Sequence, residues 1–193
     1  MGGEPLLNPE WPTFFEAARR ELPYARIQVV TNGLLILRID GNLLDKMRNM
    51  NIEFDITQYR PTNKVINDII EKLDKYNVKY HLSNVVEVFF DRNNYKGDSD
   101  KNDSFKNCTS RGCHFLSNGK ISVCPRPFTF NRVATEYNIS KEILASDIVD
   151  IYDSGINGEY IINKFKKPAN TCKYCMSQEK LKYFDWQSQC EKM

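Results

Sequence analysis

The sequence predicts an α/β protein: a parallel sheet with covering helices, followed by a small extension made of a cysteine-rich β-hairpin and helices. Three observations predict it. Up to about residue 90, short β-type runs alternate with helical stripes across brief connections, which is the pattern of βα units on a parallel sheet. From 91 to 107 the composition turns to Asp, Asn, Lys, Ser and Gly, which predicts a polar connector. From 108 onward come all six cysteines of the chain. The expected organisation is therefore a βα core over 1–90, a connector over 91–107 and a cysteine-rich unit over 108–193.

The elements follow in order. Gly2-Gly3 is backbone that a ligand can approach closely, with the Glu4 carboxylate beside it. Asn8-Pro9 predicts a helix start. Trp11, Phe14, Phe15, Ala18 and Leu22 then share one helical face up to Pro23. Ile27–Val30 predicts a strand, closed by the turn Thr31-Asn32-Gly33. Leu43, Leu44, Met47 and Met50 predict a helix entered after Asp40-Gly41. Ile52, Phe54 and Ile56 alternate with Glu53, Asp55 and Thr57, as a strand requires. Val65, Ile66, Ile69, Ile70, Leu73 and Tyr76 predict a helix behind a Thr62/Asn63 cap. Lys79–Leu82 predicts a further strand, which Val85–Phe90 extends or follows. Ligands of parallel sheets sit beyond the C-terminal strand ends. Gly2-Gly3-Glu4, Thr31-Asn32-Gly33 and Thr57-Gln58-Tyr59 fall at such positions.

In the cysteine-rich part, Ser117-Asn118-Gly119-Lys120 carries an Asn-Gly hairpin signal, with Ile121 and Val123 alternating behind it. Such a ribbon brings its feet together, so Cys113 and Cys124 are expected to face one another. Ser140–Tyr152 and Gly158–Phe165 read as helices, and Pro168 stops the second just before Cys172-Lys-Tyr-Cys175. Two cysteine pairs, one local and one remote, make four thiolates able to converge on one inorganic centre.

Bulk properties narrow the function. The 27 basic and 25 acidic residues are interspersed, giving +2, so no basic stripe for a nucleic-acid backbone is present. No apolar run approaches the ~20 residues that span a bilayer, and no signal-peptide pattern opens the chain. The expectation is a soluble cytoplasmic protein, in which six cysteines favour metal or cluster ligation over disulfides.

Gly2-Gly3-Glu4-Pro5-Leu6-Leu7, a helix, and then Ile27-Gln-Val-Val-Thr31-Asn32-Gly33 resemble the radical S-adenosylmethionine (radical SAM) enzymes. Cys113, Gly119, Cys124, Cys172 and Cys175 resemble the SPASM or twitch type of C-terminal extension in that family. The resemblance implies a partial (βα) radical SAM barrel and an auxiliary 4Fe-4S cluster on Cys113, Cys124, Cys172 and Cys175. It implies that Gly2, Gly3 and Glu4 hold the amino group of S-adenosylmethionine, with Thr57 turned toward that cofactor. It further implies a peptide or small-metabolite substrate and a reductant protein of flavodoxin or ferredoxin type. One departure is large. The family's Cys-x-x-x-Cys-x-x-Cys, which holds the radical-generating cluster, is absent, and no cysteine precedes Cys108. Met1 stands where the family has the last residues of its second strand. The expectation is thus the C-terminal portion of such a protein, missing the first strands. It has no catalytic residue of its own and would not cleave S-adenosylmethionine alone.

The rival reading of the same thiols is a four-cysteine zinc site in a non-catalytic structural or interaction module. The first pair is not a Cys-x-x-Cys knuckle, which counts against a zinc ribbon. Cys108 could replace one ligand or remain a free thiol, and Cys190 reads as a bystander. His81 and His114 read as surface or core histidines. Arg126, between Pro125 and Pro127, is either a solvated cation or a charge that orients substrate or tunes the centre. Tyr183, Phe184 and Trp186 are expected to pack the tail onto the domain.

Overall fold

The computed structural model describes residues 3–185, so Gly2, Trp186 and Cys190 lie outside the described residues. The chain divides into two compact units, the first running to Phe89 and the second comprising Phe90–Phe184.

In the first unit the alternation of strand and helix is realised. Helix α1 spans Trp11–Glu21 and strand β1 Ile27–Thr31. Helix α2 covers Gly41–Asn49, strand β2 Ile52–Ile56, the short α3 Arg60–Asn63, α4 Ile66–Lys75 and β3 Tyr80–Leu82. The sheet is parallel in the order β1-β2-β3, with Ile27 beside Ile52 and Phe54 beside Tyr80. Among the described strands of this sheet only β2 is central, and its Ile52, Phe54 and Ile56 are buried. They pack with Phe15, Ile36, Leu44, Met47, Ile69, Leu73 and Val78. Two asparagines end the crossover helices: Asn51 after α2 and Asn77 after α4 take positive φ of 50° and 52°, a left-handed turn that asparagine tolerates. Arg19 closes α1 by donating to the carbonyls of Pro23, Ala25, Met50 and Asn51 at 2.8–3.0 Å.

Some boundaries differ from expectation. The α1 helix starts at Trp11 rather than at Pro9, because the Asn8 side chain accepts the Glu10 amide in a turn of its own. Thr62 is not a cap of α4. Its hydroxyl donates to Asn32 O at 2.7 Å, tying α3 to the turn after β1. Val85–Phe90 does not extend β3. A separate strand β4, Val88–Asp91, pairs with a late strand, Lys182–Asp185. Tyr183 and Phe184 on that late strand are more than half exposed.

In the second unit, the stretch 91–107 is more structured than a connector. It contains α5, Lys101–Lys106, whose start is capped by the Asp100 carboxylate on the amides of Asn102 and Asp103. Next come β5 Phe115–Ser117 and β6 Lys120–Ser122, the expected hairpin. Its turn has positive φ at both Asn118 (48°) and Gly119 (70°), the geometry that an Asn-Gly pair permits. Helix α6 is Arg126–Phe130 and α7 is Lys141–Ser146. A helix over the whole of 140–152 is not formed. Asp147 leaves the helix to bind backbone elsewhere, and Val149–Asp150 becomes β7, the third strand of the hairpin sheet. Helix α8 follows at Gly158–Phe165, capped by Asn157, and the late strand Lys182–Asp185 is β8. Two small cores fill the unit. One is Phe130, Ala134, Ile139, Leu144 and Tyr174; the other is Val123, Val149 and Phe165.

Candidate metal centre and cofactor cleft

Cys172 and Cys175 lie on a tight turn. Residues Asn170–Tyr174 form a 3-10 helix, and the Cys175 amide donates to Cys172 O at 3.0 Å. Both cysteines are buried. The turn is held from outside. Asp147, 5% exposed, accepts the Asn170 amide at 2.8 Å and the Thr171 amide at 2.6 Å. On the other side Ser104 of α5 donates to Cys175 O at 3.0 Å. Met176 N donates to Arg92 O at 2.8 Å, Asn94 N to Tyr174 O at 2.9 Å, and Asn93 bridges to Cys175 in an antiparallel pair. The polar stretch after β4 is thus the cradle of the Cys-x-x-Cys turn, a role that its composition did not signal.

Cys124 arrives from β6. The hairpin pairs stop at Phe115 and Ser122, and Ser122 Oγ then donates to Cys124 O at 2.6 Å as the chain turns into α6. Continuing the register would set Cys113 opposite Cys124, but the pairing has ended, and Cys113 is exposed while Cys124 is half-buried. Burial first, then the neighbouring Cys175 and Cys108, push Cys124 up to about 11, against the pull of the Arg126 amide and guanidinium. Burial, then Cys175, Cys124 and Asp147, push Cys172 up to about 12. Cys175 is raised by burial and by Cys108, and pulled back by Arg126 and Arg92. Burial is the main cause at each of Cys124, Cys172 and Cys175, and Cys108, just beyond α5, adds to it at Cys124 and Cys175.

Arg126 is fixed rather than free. Its guanidinium donates to Asn93 Oδ1 and lies 5.1 Å from the centre of the Phe130 ring. Of the two histidines, His81 pairs with Asp55 at 3.3 Å, and His114 lies tilted against the Phe165 ring at 4.8 Å with its Nδ1 3.4 Å from Val123 O.

Among the described residues, no three or more Cys, His, Asp or Glu side chains are drawn together tightly enough to hold a single metal ion. A four-iron cluster carries its thiolates on separate irons and so on a wider frame than one zinc at ~2.3 Å from each sulfur. The donor set is all thiol, with Cys172 and Cys175 buried, Cys108 and Cys124 half-buried and the Arg126 and Arg92 guanidiniums beside it, a chemistry that suits such a centre. Thr171 Oγ1, inside the turn, is buried with no hydrogen-bond partner.

The first unit has its own cleft, about 820 Å³, along β1 and α1. Gly3, Glu4 and Thr57 all line it, beside Trp11, Phe14 and Tyr59. Glu4 is already engaged: Oε1 accepts Thr31 Oγ1 at 2.6 Å and Leu6 N at 3.1 Å, and Oε2 accepts Asn32 N at 2.9 Å. A carboxylate has about four acceptor positions, so one remains for a ligand. Gly33 is required in this turn, since its φ is 81° and a Cβ there would stand 2.9 Å from Ile56 Cγ2. Thr57 N donates to Thr31 O at 2.9 Å, joining the ends of β1 and β2 at the cleft wall.

Compared with known proteins, the chain matches no family model and no curated sequence.

Proposed function

We propose that this chain is the C-terminal portion of a radical SAM/SPASM-type protein and that its own task is to hold an auxiliary 4Fe-4S cluster. The observation that carries the reading is the group of three thiols pushed up by burial, Cys124, Cys172 and Cys175, with Cys108 acting on Cys124 and Cys175. In this reading Cys108 takes the fourth position in place of Cys113. When bound, such a cluster supplies one-electron transfer or an iron for substrate.

The protein's own residues do the rest. Asp147, Ser104 and Asn93 fix the turn that carries Cys172 and Cys175. Arg126 and Arg92 offset negative charge at the sulfurs. In the complete protein the cleft at Gly3, Glu4 and Thr57 receives the amine of S-adenosylmethionine, with Thr31 and Asn32 orienting the Glu4 carboxylate. The substrate is a peptide or small metabolite, and the electron donor a flavodoxin or ferredoxin.

Anaerobic reconstitution with iron and sulfide tests the reading. It expects about four irons and four sulfides per chain with visible charge-transfer absorbance. Tight binding of one zinc with no iron uptake would establish the four-cysteine zinc module instead.

A further inference from the structure

The second unit carries a pocket of about 450 Å³ that the thiol-site reading does not use. Its volume falls within the range of about 300–1,000 Å³ that small-molecule sites occupy. The C-terminal half of α8, residues 167–170, the end of α7 and Val123 line it. These elements are braced against one another. Lys164 Nζ of α8 donates to Ser146 O of α7 at 2.9 Å, and Asn170 Nδ2 donates to Ser146 Oγ at 3.1 Å. The Asn170 amide donates to Asp147 Oδ1 at 2.8 Å. A pocket held in this way has less ordering left to do when a ligand fills it.

The lining combines two chemistries. Val123 and Phe165 are 4% and 7% exposed, and Ala169 packs with them, so part of the surface is apolar. The charge beside it is positive. Lys164 and Lys167 bring two ammonium groups. Lys164 uses one of its three N–H groups on Ser146 O, as lysines near helix ends commonly do. The Lys167 ammonium has no hydrogen-bond or ion-pair partner among the described residues. The Tyr160 hydroxyl on the same lining is a further donor. Among the described residues that line the pocket, the one carboxylate is Asp147. It is 5% exposed, and its two oxygens already accept the Asn170 and Thr171 amides. A cationic ligand would meet like charge and no open carboxylate, whereas an anion would meet donors. We propose that this pocket binds a small organic anion, with its apolar body against Phe165 and Val123 and its carboxylate or phosphate group at Lys164 and Lys167. The proposal does not rest on the thiol-site reading, since no cysteine lines the pocket.

The test titrates the isotope-labelled 193-residue chain with benzoate, phenyl phosphate and neutral benzamide, followed by amide NMR, which also reports whether each variant is folded. At least one of the two anions is expected to saturate with a dissociation constant on the order of 1 mM. The shifts should concentrate at the amides of Asn163, Lys167 and Asn170. Benzamide, of similar shape to benzoate but uncharged, should bind about fivefold more weakly than the better anion. Lys167→Gln removes a charge that makes no internal contact, so it should keep the fold and weaken the anion about threefold. Lys120→Gln, on the hairpin outside the pocket, should leave binding unchanged. The tighter of the two anions assigns the head group, and either order supports the proposal. Three results each overturn it: shifts from both anions that fail to saturate or scatter over the surface, an anion bound no more tightly than benzamide, and a Lys167→Gln variant that binds as well as wild type.

Discussion

The Asp147 carboxylate accepts the Thr171 amide at 2.6 Å, across 24 residues of sequence, and the adjacent Asn170 amide at 2.8 Å. One buried side chain thereby sets the start of the turn that carries Cys172 and Cys175. Replacing Asp147 with Asn sets an amide N–H₂ against at least one backbone N–H. The expected cost is about 2 kcal/mol in chemical unfolding, with weaker metal uptake by the chain. Asp147→Asn with wild-type stability would show that the clamp is not needed.

Cys108 and Cys113 are distinguishable by substitution. Cys108 acts on the sulfurs of Cys124 and Cys175, whereas Cys113 is exposed outside that group. Cys108→Ser is expected to lower iron content and bleach the charge-transfer absorbance, and Cys113→Ser to leave both near wild type. The reverse result would restore Cys113 as the fourth ligand.

The thiols give the metal-free fold a defined pH response. Cys124 and Cys172 are raised from 9.0 to about 11 and about 12 in the folded chain. A raised folded value means that the unfolded chain releases these protons first. The stabilisation is complete below pH 9.0 and is lost as pH climbs toward the folded values. The metal-free melting temperature should therefore fall above pH 9.0, while the loaded chain, its sulfurs already deprotonated by the metal, should change less over the same range. Differential scanning fluorimetry across a pH series reads both.

Glu4 ties the chain start to the turn after β1 through Thr31, Asn32 and Leu6. Glu4→Ala leaves the Asn32 amide without its acceptor at the cleft. A loss of about 1–2 kcal/mol is expected, with faster hydrogen exchange at Asn32. Unchanged exchange there would mean that the turn holds without Glu4.

Among the described residues β1 is an edge strand of the sheet; Val30 on it is 50% exposed and Phe14 on the neighbouring α1 is 61% exposed. An unpaired, apolar edge invites pairing with another chain. Concentration-dependent association is expected by light scattering, and Val30→Lys should reduce it. A wild type that stays monomeric at high concentration would refute this.

The parallel sheet was legible because burial on β2 alternates residue by residue, and because Ile69 and Leu73 repeat at helical spacing. The Asn118-Gly119 turn was legible because few residue pairs accept positive φ at both positions. The helix expected through Tyr152 was not formed. Its periodicity continued past Ser146, but Asp147 bonds the Asn170 and Thr171 amides, and Val149 pairs with Ile121. Periodicity cannot register partners that lie far along the chain.

By itself the sequence determined the alternation of strand and helix, the hairpin, and the late Cys-x-x-Cys, because each depends on neighbours a few residues apart. Only the tertiary structure decided which cysteines are buried and what holds their turn. Ser104 reaches Cys175 across 71 residues, and α5, just before Cys108, packs against the 170–174 turn. Hydrogen bonds and charge act through space, so a polar stretch that reads as a connector can fold into the wall of a site.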